Sequence, residues 1–192
     1  MGRLVLIRHG ESEGNRDRVF TSTPDVSLTG TGRAQVRARA DWVAERFAPH
    51  HIVSSPYARA RETSAILAAR LGVPVLIEED LRERSYGEFA GRPYATIRDC
   101  EGYDPEAYWL WCPAGGETFP DVVARTGAAL DRIATATPAE DVVVVSHGAV
   151  MMALWRHVTG EWRTGGVARN AGIVVVEHEA GRWVGAAAVD AD

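Results

Sequence analysis

The clearest feature of the hydrophobic pattern is a pair of continuous apolar runs, at residues 4–7 and 142–145. Runs of this length without alternating polar positions are typical of strands that are buried on both faces of a parallel sheet. The first run leads directly into an RHG sequence and the second into SHG. Because α/β folds place their chemistry at the carboxyl ends of parallel strands, the two tips are predicted to share one site.

Helix-period patterns alternate with these strands. Apolar residues recur at helical spacing over residues 29–47, 57–71, 118–135 and 149–158, and weaker strand patterns occupy residues 52–53 and 73–77. Residues 173–176 and 183–189 have the pattern of a hairpin at one edge of the sheet. This alternation predicts an α/β fold, a three-layer α/β/α sandwich with a mostly parallel central sheet and a C-terminal edge hairpin.

Three segments do not have the pattern of a regular core element. Residues 15–27 are expected to form a loop, and residues 78–91 are expected to be too polar for the core. Residues 92–116 are rich in aromatic residues and punctuated by proline, which predicts a small aromatic cap of one or two short helices above the sheet end. We therefore interpret residues 1–192 as a single domain with a cap-like insertion at about 92–116.

Composition narrows the possible functions. The net charge of −5 and a pI near 5.7 argue against a nucleic-acid partner, and no apolar stretch is long enough to cross a membrane. All 21 basic residues are arginines, which excludes the P-loop, Schiff-base and protein-kinase classes because each needs a lysine. Cys100 and Cys112 are expected to be free thiols, and the short apolar start is expected to be a strand of a cytoplasmic protein rather than a signal peptide.

The predicted sheet edge gathers four chemically useful residues. His9 and His147 each follow a buried strand and precede a glycine, Arg8 adjoins the first of them, and Arg59 lies one turn into the helix after SSP. Arginine forks and helix N-termini both suit a tetrahedral dianion, so the expected ligand is a phosphate. The other four histidines lack this context and are interpreted as structural or surface residues: His50, His51, His157 and His178.

Six stretches in order along the chain resemble the histidine phosphatase superfamily, also called the phosphoglycerate mutase-like family. They are RHGES from residue 8, D-x-S-L-T-x-x-G-x-x-Q over 25–35, SSPYARARET over 54–63, LRERSYGEFAG over 81–91, PAGGETF over 113–119 and VVVVSHG over 142–148. RHG alone is weak evidence, but its combination with the SSP-x-x-R-A turn and a later SHG is specific. The matches cover nearly the whole chain.

The resemblance implies a role for each matched residue. His9 is the nucleophile that becomes phosphorylated, and the phosphate oxygens are held by Arg8, Arg59 and His147. Asn15 is implied as a further contact and Glu83 as the residue that protonates the leaving group. We assign Ser12, as a substrate-binding residue, a supporting place in the phosphate-side turn.

Elementary chemistry supports the two central roles. A histidine nucleophile must attack as the neutral ring, and neighbouring arginines lower its pKa because they disfavour a second cation. Glu83 must instead hold a proton near neutral pH. Burial near the cap would raise its pKa, whereas Arg82 or Arg84 would lower it if either turned inward. Glu88 is the substitute for Glu83. Arginines supply the positive charge, so we expect neither a metal nor a cofactor.

Several alternatives stay open at this point. GESEG over residues 10–14 matches the G-x-S-x-G nucleophile elbow of serine hydrolases, with Asp141 and His147 in the right order. It follows the first predicted strand, however, whereas an α/β-hydrolase needs further strands before its elbow, including one that bears an oxyanion loop. A zinc deaminase is disfavoured because its P-C-x-x-C is absent, and a module that only binds phosphate is a further, non-enzymatic reading. Within the family, a cofactor-dependent phosphoglycerate mutase is the main alternative to a phosphatase.

The short segment after LRERSYG favours the phosphatase branch, because the mutases that this chain resembles carry a larger insertion there. The expected partner is a small phosphorylated substrate, and a homodimer is left open. The identity of that substrate is open as well, since Tyr94, Tyr108, Trp109 and Trp111 of the cap could stack on a ligand or pack on the sheet. Asn170 is a weaker candidate for shaping the pocket.

Overall fold

A computed structural model describes residues 1–162, 169–179 and 181–189. Its strands are β1 (Gly2–Arg8), β2 (Pro49–Ser54), β3 (Val75–Ile77), β4 (Asp141–Ser146), β5 (Ile173–Glu179) and β6 (Arg182–Val189). Its α-helices are α1 (Glu13–Arg16), α2 (Gly30–Arg46), α3 (Ala58–Leu71), α4 (Phe119–Ala136) and α5 (Gly148–Thr159). Short 3₁₀ helices span Glu79–Leu81, Gly87–Phe89, Tyr94–Asp99 and Pro105–Leu110.

The strands form one six-stranded sheet in the order β3-β2-β4-β1-β5-β6. The first four of these are parallel to one another, and β5 and β6 add an antiparallel hairpin next to β1. The register pairs Ile7 with Val145 and Arg8 with Ser146. The RHG and SHG sequences therefore leave the sheet side by side, as the two apolar runs predict.

Side-chain alternation along the central strands produces a core on each face of the sheet. On β1, Leu4 and Leu6 pack with α4 and α5, whereas Val5 and Ile7 pack with α2 and α3. All four side chains are at most 1% exposed, which is why these strands have no polar positions. The predicted α/β sandwich with its mostly parallel sheet and edge hairpin is confirmed.

Several strand boundaries differ from the prediction by one to three residues, and those of β2 and β3 have an identifiable cause. β2 begins at Pro49 rather than Ile52, because a register shift between Pro49 and His51 lets two histidines enter a strand that we expected them to precede. β3 is shorter than predicted and lies at the sheet edge, where its three apolar residues are all exposed. The apolar–polar pattern could not locate either boundary because neither segment has a fully buried face.

Two segments are more ordered or more buried than expected. The helix α1 lies partly in the predicted loop and begins at a capping box in which Ser12 and Asn15 satisfy each other's backbone N–H groups. The polar stretch 78–91 was expected to lie outside the core, yet Leu81, Glu83 and Arg84 in it are at most 7% exposed. Burial of charged residues is possible here because backbone groups and aromatic rings contact them.

The aromatic segment forms two 3₁₀ helices, Tyr94–Asp99 and Pro105–Leu110, as the cap prediction requires. Tyr94, Tyr103 and Trp111 of this segment belong to a small separate core with Phe20 and Phe89. Tyr108 instead packs against Phe119, and Trp109 stacks on Trp162. The interpretation of the chain as one domain over 1–192 stays a prediction. Over the described ranges, no helix is both long enough and apolar enough to cross a membrane.

Candidate active site

The carboxyl ends of β1 and β4 open onto a cavity of about 130 Å³. Its wall combines residues from the RHG turn, α1 and the loop that follows it, the stretch 78–91, the cap and the first half of α5. The lining residues are Arg8, His9, Asn15, Thr21, Glu83, Tyr86, Tyr94, Gly148, Ala149 and Met152. The sheet thus brings together residues that are up to 144 positions apart in sequence (152 minus 8).

His9 is buried and has a defined protonation pattern. Its Nδ1 lies 2.7 Å from the carbonyl oxygen of Gly10, which can only accept, so Nδ1 carries the ring proton. Nε2 is then free of a proton and accepts a hydrogen bond from Nε of Arg59 at 3.2 Å. Burial, followed by the charges of Arg8 and Arg59, lowers the pKa of His9 well below its ordinary value. The ring is therefore neutral, with a nucleophilic lone pair on Nε2.

Arg59 contacts the attacking nitrogen of His9, although it is not one of the residues that line the cavity. Besides the bond to His9, its guanidinium donates to the carbonyl oxygens of Thr23 at 3.1 Å and Thr21 at 3.2 Å. Arg8, in contrast, lines the cavity directly. Both arginines supply positive charge at the nucleophile, and Arg59 does so through its direct contact with His9.

His147 is completely buried, and its ring centre lies 5.2 Å from that of His9. Its Nε2 is 2.7 Å from Oγ of Ser55. Burial is the largest cause that lowers its pKa well below the ordinary value, followed by the charge of Arg59. His147 lies next to the cavity wall as a neutral ring, and the adjacent Gly148 forms part of that wall.

Glu83 lines the cavity and is 7% exposed. Burial raises the pKa of its carboxyl group, and the charge of Arg59 is the first of several opposing influences. Oε1 accepts a hydrogen bond from the backbone N–H of Arg84 at 2.9 Å. Glu88 is exposed and does not line the cavity, so the geometry favours Glu83 over this substitute.

Arg84 turns inward, but away from the carboxylate of Glu83. Its guanidinium donates to the carbonyl oxygens of Trp111 at 2.7 Å and Glu117 at 2.8 Å and lies over the ring of Phe119. The charge of Arg84 still interacts with Glu83, but Arg59 is the largest of the influences that lower the Glu83 pKa, ahead of the backbone N–H of Arg84. Arg84 instead joins the segment that carries Glu83 to the aromatic cap.

Asn15 lines the cavity and is held from two sides. Its Oδ1 accepts hydrogen bonds from the backbone N–H and the hydroxyl of Ser12, and its Nδ2 donates to the hydroxyl of Tyr94 at 3.2 Å. Because the backbone N–H of Ser12 can only donate, the atom that it contacts must be the amide oxygen of Asn15, and the amide nitrogen therefore faces Tyr94. Ser12 itself is completely buried, does not line the cavity and acts as the cap of α1.

The serine-hydrolase alternative fails on geometry. The hydroxyl of Ser12 bonds to Asn15, and His147 bonds to Ser55. Asp141 begins β4, at the opposite end of the strand from His147, and pairs with Arg3 at 2.7 Å. These residues do not form a triad.

Several residues of the site were not predicted from the sequence. Thr21, Tyr86 and Met152 line the cavity, and Ser55 contacts His147. Ser55 was part of the quoted SSP motif, so its position in that motif was a usable signal. Asn170, a weaker candidate, lies in the turn before β5 and does not line the cavity. In the part of the chain that the structure describes, no group of three or more His, Cys, Asp or Glu side chains could hold a metal ion.

The fold and site define an α/β protein with a neutral histidine, a second histidine and two arginines at one sheet edge, a class that handles phosphoryl groups. The sequence model of the histidine phosphatase superfamily (branch 1) matches residues 4–190, and the chain belongs to this superfamily. It is a phosphatase of that superfamily and acts as a phosphomonoesterase.

Relatives and solved structures agree with this assignment. Phosphoglycerate mutase-like protein 4 of Arabidopsis thaliana is 35% identical over 161 residues, 79% of this chain and 69% of that one. The metal-independent phosphoserine phosphatase of the same plant is 31% identical over 190 residues, 94% of this chain and 78% of that one. The matched region spans only 41% of three mycobacterial relatives.

The structure of mycobacterial glucosyl-3-phosphoglycerate phosphatase Rv2419c with VO3 superimposes with a TM-score of 0.81 at 29% identity. The superposition covers 95% of this chain and 96% of that one. The predicted family and fold are therefore confirmed.

Proposed function

We propose that this protein is a metal-independent phosphomonoester hydrolase that acts on a small phosphorylated metabolite through a phosphohistidine intermediate at His9. The observation that carries the proposal is the state of the His9 ring. Its proton is held on Nδ1 by the Gly10 carbonyl, its pKa is lowered by burial and two arginines, and Nε2 is left as the nucleophile.

In the first step, the Nε–H of Arg59 transfers its hydrogen bond from Nε2 of His9 to a phosphoryl oxygen, Nε2 attacks phosphorus, and the bond between phosphorus and the ester oxygen breaks. The leaving alkoxide takes the proton of Glu83, whose pKa is raised by burial so that the carboxyl group can hold a proton. The Gly10 carbonyl continues to accept from Nδ1–H and so stabilises the positive charge that the phosphorylated ring acquires.

In the second step, water attacks the phosphohistidine. The Glu83 carboxylate takes a proton from that water, the oxygen joins phosphorus, and the electron pair of the P–N bond returns to Nε2. Inorganic phosphate and neutral His9 are the products. Arg8 and the neutral ring of His147 stabilise the charge that spreads over the phosphoryl oxygens in both steps.

Metal independence is supported by the source of positive charge. Arg8 lines the cavity and Arg59 touches the nucleophile, so guanidinium groups occupy the places where phosphoryl transfer needs cations. The relative named as a metal-independent phosphoserine phosphatase supports the same conclusion. The small volume of the cavity and its tyrosine walls favour a compact leaving group.

The test is hydrolysis of a panel of phosphomonoesters in EDTA by the wild type and by His9→Ala. The panel includes phosphoserine and glucosyl-3-phosphoglycerate, the substrates in the names of two relatives. We expect phosphate release that EDTA leaves unchanged and that His9→Ala abolishes. Loss of activity in EDTA would contradict the metal-free mechanism, and conversion of 3- to 2-phosphoglycerate faster than hydrolysis would favour the mutase alternative.

A further inference from the structure

Ser55 contacts the second histidine of the site at a point that the mechanism above does not use. It follows the end of β2, where its backbone N–H donates to the carbonyl oxygen of Val145 in the neighbouring strand at 3.0 Å. This bond fixes the residue beside β4, and its completely buried hydroxyl lies 2.7 Å from Nε2 of His147. The distance is that of a hydrogen bond, so its direction determines which ring nitrogen of His147 carries the proton.

The surroundings of the Ser55 hydroxyl set the direction of that hydrogen bond. The backbone N–H of Tyr57 already donates to Oγ at 3.4 Å, a long contact that uses the oxygen as an acceptor. Nε2 of His147 is the acceptor found for the hydroxyl proton among the described residues. The opposite direction, from His147 to Ser55, would leave a buried hydroxyl proton without an acceptor there, which is costly.

A neutral imidazole has one ring proton, so an Nε2 that accepts from Ser55 places the proton of His147 on Nδ1. Nδ1 is buried and has no hydrogen-bond partner in the described ranges. The ring stands 5.2 Å from His9 and 5.3 Å from Tyr57, edge to face with both. An Nδ1–H can donate to an anionic oxygen, whereas an unprotonated Nδ1 would present a lone pair to the same charge.

We propose that Ser55 is a positioning residue that holds His147 in the Nδ1–H tautomer and thereby makes this neutral ring a hydrogen-bond donor to the phosphoryl group during transfer. This inference rests on the proposed function, because it assumes that a phosphoryl group reaches His9. It adds a role for the serine that the family resemblance did not assign.

The first test needs no variant. Long-range ¹H–¹⁵N spectra of histidine side chains distinguish a protonated from an unprotonated ring nitrogen, with the His147 signals identified by their absence in His147→Gln. We expect Nδ1 of His147 to be protonated and Nε2 unprotonated in the wild type near neutral pH. The reverse assignment would overturn the proposal whatever the enzyme's activity.

The second test compares Ser55→Ala with Ser54→Ala. Ser54 is the matched control, because it is equally buried and its hydroxyl bonds to the Ser55 carbonyl and to Ser64, without touching either histidine. We expect Ser55→Ala to lower kcat/KM about 10- to 100-fold, the effect of losing one hydrogen bond to a charged group. The same variant should bind vanadate more weakly and shift His147 toward a mixture of tautomers, whereas Ser54→Ala should stay close to the wild type.

Unchanged tautomer, activity and vanadate affinity in folded Ser55→Ala would overturn the proposal and leave the proposed function intact. Full activity in His9→Ala would instead remove the proposed function. Even if His9→Ala stays active, the spectrum of wild-type His147 still shows which tautomer is present. A failure of the Ser55 proposal can therefore be distinguished from a failure of the proposed function.

Discussion

Arg125 in α4 anchors the segment that carries Glu83, and its removal should damage both stability and catalysis. Its guanidinium donates to the backbone carbonyls of Asp80 at 2.6 Å and Arg82 at 2.9 Å, and more distantly to that of Glu83. It also pairs with both carboxylate oxygens of Glu117, at 2.8 and 2.9 Å. The arginine side chain is 11% exposed and that of Glu117 is 19% exposed, so solvent screens this pair only partly.

Arg125→Met keeps much of the side-chain length but removes every donor. Breaking a largely buried, hydrogen-bonded pair costs about 3–5 kcal/mol, and we expect the lower half of that range because Arg82 and the Ser85 N–H still contact Glu117. A looser Glu83 is a poorer general acid, so kcat should fall as well, toward the about 10²-fold or larger loss that removal of a general acid causes.

Arg132→Met is the matched control on the same helix. Arg132 bonds to Glu78 and Asp80 at 3.1 and 3.0 Å, but its side chain is 54% exposed. An exposed pair contributes about 0–1 kcal/mol, so this variant should keep its stability and activity. Urea unfolding measures the stability of each variant, and initial-rate kinetics measure its kcat. If Arg125→Met were as stable and as active as Arg132→Met, Arg125 would not anchor the segment that carries Glu83.

Three further predictions follow from the cavity wall. In the pH profile of kcat/KM, the acid limb should lie below pH 6.5, the ordinary pKa of histidine, because burial and two arginines lower the pKa of His9. An acid limb at or above 6.5 would contradict a neutral, cation-flanked ring. Glu83→Gln should lower kcat about 10²- to 10⁴-fold, yet it should gain stability relative to the wild type as pH rises. The sign follows because burial raises the folded pKa of Glu83 above its unfolded value of 4.5, so wild-type stability is lost as pH rises through the folded value. Chemical unfolding at several pH values measures this, and a constant stability difference would count against a buried, proton-holding carboxyl. Tyr94→Phe should raise KM more than it lowers kcat, because it removes the hydroxyl that holds Nδ2 of Asn15 on the wall. Tyr103→Phe, in the cap but off the wall, is its control, and equal KM values for the two variants would exclude this role.

The sequence was sufficient to predict the central part of the fold and the centre of the site. The two apolar runs predicted buried parallel strands because strands with a core on each face have no room for polar positions. Parallel strands place the RHG and SHG tips at the same edge of the sheet, and the direct pairing of β1 with β4 makes them neighbours. The placement of His9 and His147 side by side therefore follows from hydrophobic pattern and topology together.

Buried polar contacts could not be predicted in the same way. Arg84 occurs in a sequence as polar as any surface loop, and its burial depends on carbonyl groups and rings supplied by the cap. Arg125 looked like an ordinary polar position on an amphipathic helix. Such residues are identified by partners that are distant in sequence, and a single-chain pattern contains no information on those partners.

The edge elements were also harder to predict than the core. The three-residue strand β3 has no buried side chain, and near the start of β2 His50 is exposed and His51 is only partly buried. Without a buried face, neither segment has a period that distinguishes strand from loop. Backbone pairing with the neighbouring strand determines their limits.

Direct observation of the covalent intermediate shows whether His9 is the nucleophile. The protein is mixed with a phosphomonoester in EDTA, quenched within the first turnover under alkaline conditions that preserve phosphohistidine, and digested for mass spectrometry. We expect a phosphoryl group on His9 of the wild type and no such group in His9→Ala. The phosphorylated form should accumulate in Glu83→Gln if dephosphorylation is the slower step. Phosphoryl groups on Ser12, or rapid turnover with no phosphorylated His9 peptide, would contradict that role for His9.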